Sequence, residues 1–263
     1  MSPEEKTLCF CTLALGSKYR LLAKQLAGDL QKYSPGNPLV VGTDEPKDFS
    51  GFSNVIAFLH RKQGILHCYH DKRFVIEKAL SMFAVAIQVD ADTKILASLP
   101  TQFSWPPGIT GNHKNLIEHV NKACPERLDH LKNVAAKLNI AIENAQFIGE
   151  SIYVVAREGG KEKEFLQQWG LIGRYLELKG IHAGEGNAMG LAASKVGLTL
   201  SNQGWENLRK VTKNLDASYK ANSHLFPKEQ ESFWSPLSRK LNYHYRLNRS
   251  RIMALKDFDF YYR

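Results

Sequence analysis

No stretch of this chain stays apolar for the roughly 18 residues that a membrane-spanning helix needs. The nearest candidate, Phe74 to Val89, is broken by Glu77 and Lys78. The start, Met1-Ser2-Pro3-Glu4-Glu5-Lys6, has no apolar segment of the secretory type. A soluble, cytoplasmic protein is expected. There is no low-complexity tract and no internal repeat. Cysteine is scarce, with four residues at Cys9, Cys11, Cys68 and Cys124, and their spacing makes no zinc frame. Reduced, mostly buried thiols are expected, with Cys9 and Cys11 on one face of a strand. His67-Cys68-Tyr69-His70 holds metal-binding residue types, but its spacing matches no familiar site. Acid is missing from one region: Arg239 to Lys256 contains six Lys or Arg and no Asp or Glu.

What is present points to a globular α/β protein. The 263 residues carry 43% hydrophobic residues and a formal charge of +9. That length can bury a sizeable core in a single unit. Basic charge admits nucleic acid, an anionic membrane or a phosphorylated small molecule as partner.

Residues 7–15 read as a buried strand broken at Gly16 and Ser17. Tyr19 to Leu30 follows as a helix, with Leu22, Leu26 and Leu30 on one face and Ser17 as its cap. Leu39 to Val41 and Asn54 to Leu59 are further strands. A loop from His60 to His70 leads to a helix from Asp71, a plausible N-cap, to Met82. Ala84 to Val89, an apolar run rich in Val and Ile, reads as a buried strand. The order predicts a mostly parallel sheet with helices on its faces, a Rossmann-like α/β fold. Trp105 to Gly111 reads as an irregular loop and Leu116 to Leu138 as helical, with Pro125 starting a new helix or kinking the old one. Ala145 to Val155 reads as a strand interrupted at Gly149, and Lys161 to Leu178 as a helix. His182 to Asn187 is a glycine-rich turn before the short helix Ala188 to Lys195. We take residues 1–263 as one unit: a nucleotide-binding half (1–100), an acceptor half (101–238) and a basic C-terminal tail (239–263).

The chemistry centres on Asp90-Ala91-Asp92. It follows the apolar run from Ala84 to Val89, and ligands of α/β sheets bind beyond the carboxyl ends of their strands. Two carboxylates so close repel unless a cation lies between them. Mg²⁺ or Mn²⁺ accepts one or two carboxylates and completes its shell with water and substrate phosphates. A metal–diphosphate site is one reading, and an exposed acidic turn is the other.

Taken in order, several stretches resemble the GT-A glycosyltransferases, in particular retaining enzymes of the blood-group A/B and α-1,3-galactosyltransferase type (family 6). They are Leu13 to Tyr19, Val40 to Pro46, Lys72 to Glu77 and Val89 to Asp92, and more weakly Phe147 to Ser151 and His182 to Glu185. The resemblance implies a soluble, bacterial-type enzyme moving a sugar from a nucleoside diphosphate sugar, with UDP expected, to an acceptor hydroxyl. It implies that Ala14, Gly16 and Tyr19 hold the nucleoside and that Asp90 and Asp92 bind Mn²⁺ or Mg²⁺ and the donor. Arg73 would sit near the donor sugar or brace the acidic pair; its spacing alone suggests pairing with Glu77. Glu185 would be the carboxylate beside the transferred sugar, and Glu150 and His182 would face the acceptor. Glu150 stands where the family usually has glycine. Arg246, Arg249 and Arg251 are candidates to clamp the diphosphate, as the mobile tails of several GT-A enzymes do. The basic tail also offers peripheral membrane contact, and no nucleic acid is expected.

Other Asp-x-Asp enzymes fit less well. Haloacid-dehalogenase-type phosphatases need Thr or Val where Lys94 stands. Nucleotidyltransferases need a glycine-rich first loop where this chain has Ala14-Leu15-Gly16-Ser17-Lys18. The remaining alternative is a non-catalytic basic module for nucleic acid or anionic lipid.

Overall fold

The computed structural model describes residues 8–99, 104–217 and 235–263. The first half runs β1 (Leu8–Ala14), α1 (Ser17–Tyr33), β2 (Leu39–Thr43), β3 (Val55–Leu59), α2 (Lys72–Leu80), β4 (Val85–Val89) and β5 (Thr93–Ile95). It continues with β6 (Gly108–Asn115), α3 (Leu116–Ala123), α4 (Leu128–Lys137), β7 (Gln146–Ala156) and α5 (Lys161–Leu178). Then come α6 (Glu185–Val196), β8 (Leu200–Ser201), α7 (Trp205–Lys210) and β9 (Thr212–Asn214). The helices α8 (Ser235–Ala254) and α9 (Phe258–Tyr262) end the chain.

Seven strands form one sheet in the order β3-β2-β1-β4-β7-β6-β8. β1 to β4 are mutually parallel, β7 runs antiparallel to both β4 and β6, and β8 is parallel to β6. The mostly parallel, helix-flanked α/β sheet expected from the element order is therefore present. It crosses the boundary at residue 100, because β6, β7 and β8 extend the sheet that β1 to β4 begin. From β1 the chain winds outward to β2 and β3, then returns to place β4 on the other side of β1. That reversal opens a crevice beyond the carboxyl ends of β1 and β4, the usual ligand position in such sheets.

Strand alternation divides the core into two layers. Cys9, Cys11 and Ala86 face a layer built with Val75, Ile76, Phe165 and Trp169. Phe10, Ile87 and Val89 face the other, with Leu26 and Leu30 of α1. All four thiols are free, and Cys9 and Cys11 share a face as their spacing requires.

Several local expectations are corrected. Ser17 does not cap α1: Gly16 holds the cap position at φ 84, and its N–H donates to the Asp44 carboxylate at 3.1 Å. That φ suits glycine because no Cβ obstructs it. Asp71 precedes α2 but makes no capping bond. Its carboxylate instead accepts from Gln63 N and Gly64 N and contacts His60 Nε2 at 3.1 Å, pinning the loop before the helix. β7 runs unbroken through Gly149; the irregularity lies across from it, between Gly111 and His113 of β6. The loop after Trp105 ends at Pro107, since β6 begins at Gly108. The expected turn at His182–Asn187 is shorter, because α6 already starts at Glu185.

Helix α6 lies so close to β7 that a Cβ on Gly190 would collide with the Gln146 carbonyl. Gly190→Ala is therefore expected to push α6 off the sheet. Overpacking of this kind costs about 1–3 kcal/mol or more, readable as a lowered urea midpoint.

Candidate active site

A cavity of ≈ 660 Å³ occupies the crevice beyond β1 and β4. Tyr19 from the first turns of α1, Lys72 from α2, Asp90 to Asp92 after β4, Glu150 from β7 and Glu185 from α6 all line it. Lys62, His67, Cys68 and Tyr69 close it from the loop before α2. Asp90, Asp92, Tyr19, Glu150 and Glu185, singled out in the sequence, are thus brought together from four elements.

A buried ammonium organises them. Lys72 Nζ lies 2.7 Å from Asp90 Oδ1 and 2.9 Å from Glu185 Oε1, and it donates to the Glu150 carbonyl at 3.0 Å. Three acceptors satisfy its three protons. Lys72 and Glu185 are only 8% and 2% exposed, so the ions are desolvated together. Burial alone would lower the Lys72 pKa, but Asp90 and Glu185 overcome it and hold the ammonium well above its ordinary range. Burial likewise pushes Glu185 upward, and Lys72 reverses that and keeps its carboxylate below the usual value. The first turn of α6 adds the positive end of the helix dipole.

One cation cannot neutralise three carboxyl groups. Burial and then the charge of Glu185 raise Glu150 to about 8, making it the proton carrier of the set. Its Oε1 accepts from Gly186 N at 2.8 Å. Burial raises Asp90 to about 6 against the pull of Lys72.

Asp92 is 7% exposed, and its Oδ2 accepts from Ala217 N at 2.6 Å. β5 and β9 form a small antiparallel pair beside it, and Leu215 N donates to the Asp92 carbonyl at 3.0 Å. Asn214 Nδ2 reaches Asp90 Oδ2 only at 3.4 Å. Each aspartate therefore keeps an oxygen with at most a weak partner among the described residues. Two such oxygens fit Mg²⁺ or Mn²⁺, which draw further ligands from phosphates and water. Among the described residues no three His, Cys, Asp or Glu side chains cluster as a metal site, and His67-Cys68-Tyr69-His70 makes none.

Other candidates lie elsewhere. Arg73 does not brace the acids. It points to a separate cavity with Arg174 and Arg249, its guanidinium 3.7 Å from the Phe74 ring centre. Its neighbour Lys72 takes that place. The helix phase carried the signal: Lys72 shares a face with buried Val75, Ile76 and Ala79, whereas Arg73 and Glu77 do not. The expected mobile tail is instead helix α8. Arg246 Nε donates to the Ile65 carbonyl at 3.0 Å, Arg249 donates to the Gln63 side chain, and Arg251 reaches Asn248 at 3.5 Å. None of the three lines the large cavity; the first two hold the outer side of its loop. His182 packs edge-on to Tyr243 at 6.2 Å, next to Ala183 at the cavity wall. Ala14 is fully buried at the end of β1, and the Gly16 N–H is taken by Asp44.

No family model matches the chain, and no curated protein matches it. Among solved structures, it is similar to the WbbM bifunctional glycosyltransferase in its apo form, at a TM-score of 0.48 and 12% identity. The match covers 76% of this chain and 39% of that one, so the chain spans well under half of its neighbour's length.

The site generates two predictions. Lys72→Met leaves buried Glu185 and partly exposed Asp90 without their cation and is expected to cost about 3–5 kcal/mol in urea unfolding, mostly through Glu185. The second concerns pH. Glu150 rises from an ordinary 4.5 to about 8, so between those values the folded state keeps a proton that the unfolded chain releases. Its contribution is therefore full below that window, falls as pH rises through it, and is flat above. Glu150→Gln retains an acceptor for Gly186 and has no such proton. Its urea midpoint is expected to depend less on pH across the window than that of the parent.

Proposed function

We propose that the chain is a glycosyltransferase that moves a sugar from a nucleoside diphosphate sugar, a UDP-sugar, to an acceptor hydroxyl. The observation that carries this reading is the Asp90–Lys72–Glu185 chain of charge at the switch-point crevice. It joins a pair of aspartates suited to a diphosphate and its counter-ion with a buried carboxylate kept ionised.

In this reading Tyr19 packs against the nucleobase, near Ala14 and Gly16. Asp90 and Asp92 hold Mn²⁺ or Mg²⁺, which when bound offsets charge on the departing diphosphate. Because Lys72 already shares Asp90, metal dependence is expected to rest mainly on Asp92. Lys62 and Lys72 add fixed positive charge to the cavity wall. Glu185 faces the sugar, where an oxocarbenium-like transition state develops positive charge at the anomeric carbon. An ionised carboxylate in a water-poor site stabilises that charge strongly. Protonated Glu150 donates a hydrogen bond, to Glu185 or to an acceptor oxygen, and His182 stands behind it on the acceptor side. Retention of configuration is proposed from the family resemblance, with Glu185 beside the anomeric carbon.

The test compares two variants by titration calorimetry with UDP and Mn²⁺ and by turnover of sugar nucleotide. Asp92→Asn is expected to lose metal-dependent UDP affinity and, with it, turnover. Glu185→Gln is expected to keep UDP binding while turnover falls by two to three decades, about 3–4 kcal/mol, as for a group acting mainly in the transition state. If no nucleoside diphosphate binds the parent at millimolar concentration with metal, the proposal fails.

A further inference from the structure

Helix α8 has two apolar faces. One is docked: Ser250 and Ala254 are buried, Tyr243 meets His182, and Met253 Sδ accepts from Arg174 at 3.9 Å. The other points away from the protein. Leu237, Leu241, Tyr245 and Ile252 fall within an arc of about 80° at helical spacing. They are 51%, 61%, 68% and 66% exposed. Leu255 and Phe258 continue the surface into α9 at 58% and 48%. Seven of the eleven large hydrophobic side chains exposed among the described residues lie between 237 and 262. Apolar exposure is therefore concentrated on this one element, whereas scattered single residues would need no explanation.

Cations border the stripe. Lys240 and Arg251 lie along one edge, and residues 235–263 contain seven Lys or Arg against two Asp. Of the two acids, Asp259 is paired with Arg263 at 3.0 Å. An apolar stripe of Leu, Ile, Tyr and Phe flanked by Lys and Arg has the composition of a helix lying in a lipid interface. Tyrosine adds an amphipathic ring suited to headgroup depth. A second copy docking through the same face would bring two basic edges together. A nucleic acid would use the cations and leave Leu241 and Ile252 in water.

We propose that the outer face of α8 and α9 is an interfacial surface that seats this protein on an anionic lipid bilayer, with the apolar stripe in the headgroup–acyl boundary and the flanking cations on lipid phosphates.

The test is cosedimentation of the full chain with vesicles of equal parts phosphatidylglycerol and phosphatidylcholine, and of phosphatidylcholine alone, at low and high salt. The parent is expected to pellet with the anionic vesicles and far less with the neutral ones. In Leu241→Glu/Ile252→Glu, binding should weaken about tenfold or more. Both positions are exposed, so an unchanged melting temperature confirms that folding is intact. Lys240→Gln/Arg251→Gln should bind more weakly and with a shallower salt dependence. The proposal is overturned if anionic vesicles leave the parent in solution, or if the Glu double variant binds as well as the parent. Two positive results would also overturn it: a concentration-dependent dimer abolished by Leu241→Glu without vesicle binding, or duplex DNA binding that ignores Leu241 and Ile252.

Discussion

The candidate site depends on one buried ammonium. Lys72 joins the end of β4, through Asp90, to the start of α6, through Glu185, and it also holds the β7 backbone at Glu150. These elements are far apart in sequence, and each carries an acid that would resist burial alone. The pairing is not chiefly a source of stability, since a buried ion pair gains in attraction about what it loses in desolvation. It sets geometry and protonation. With Lys72 in place Glu185 stays ionised, and the excess negative charge is relieved by a proton on Glu150. Two carboxyl groups in one cavity thereby acquire different charges, the condition for different chemical roles.

Close packing keeps that arrangement in place. Helix α6 can present Glu185 at its first turn because glycine lets the helix approach β7, the strand that carries Glu150. Antiparallel β7 sits directly beside β4, so Glu150 and Asp90 emerge at the same end of the sheet although their strands run in opposite directions. On the other side, β5, β9 and Ala217 close over Asp92, while Lys18 of α1 donates to the Ala217 carbonyl at 2.6 Å. The α1 side and the acidic side of the crevice are thus tied through one short segment.

Helix α8 contributes from outside the cavity. Its inner face fastens the loop that carries Lys62 to Tyr69, through the Ile65 carbonyl and Gln63. Its outer face leaves an apolar stripe edged by the cations Lys240 and Arg251. Among the described residues, no helix is long and apolar enough to cross a membrane. A surface that lies along a bilayer has different requirements, a short apolar arc and flanking positive charge, and α8 has both.

By itself, the sequence determined the continuous apolar runs that make β1 and β4 buried strands, the leucine stripe of α1, the extent of α5 and the position of Asp90 and Asp92 just past a buried strand. Those features follow from local periodicity and from the cost of exposing apolar side chains. It also marked Glu150 and Glu185, though only through a family resemblance. The tertiary structure decided which basic residue meets the acids. Lys72 and Arg73 are adjacent; helix phase puts Lys72 on the face of Val75, Ile76 and Ala79, but only the completed fold brings Asp90 and Glu185 to it. It likewise decided that Asp71 pins a loop in place of capping a helix, and that Arg246 and Arg249 bind backbone and amide oxygens of that loop. The reason is physical: a charged side chain has no periodic signature, and its partner is set by whichever opposite charge or carbonyl the completed fold brings within about 3 Å.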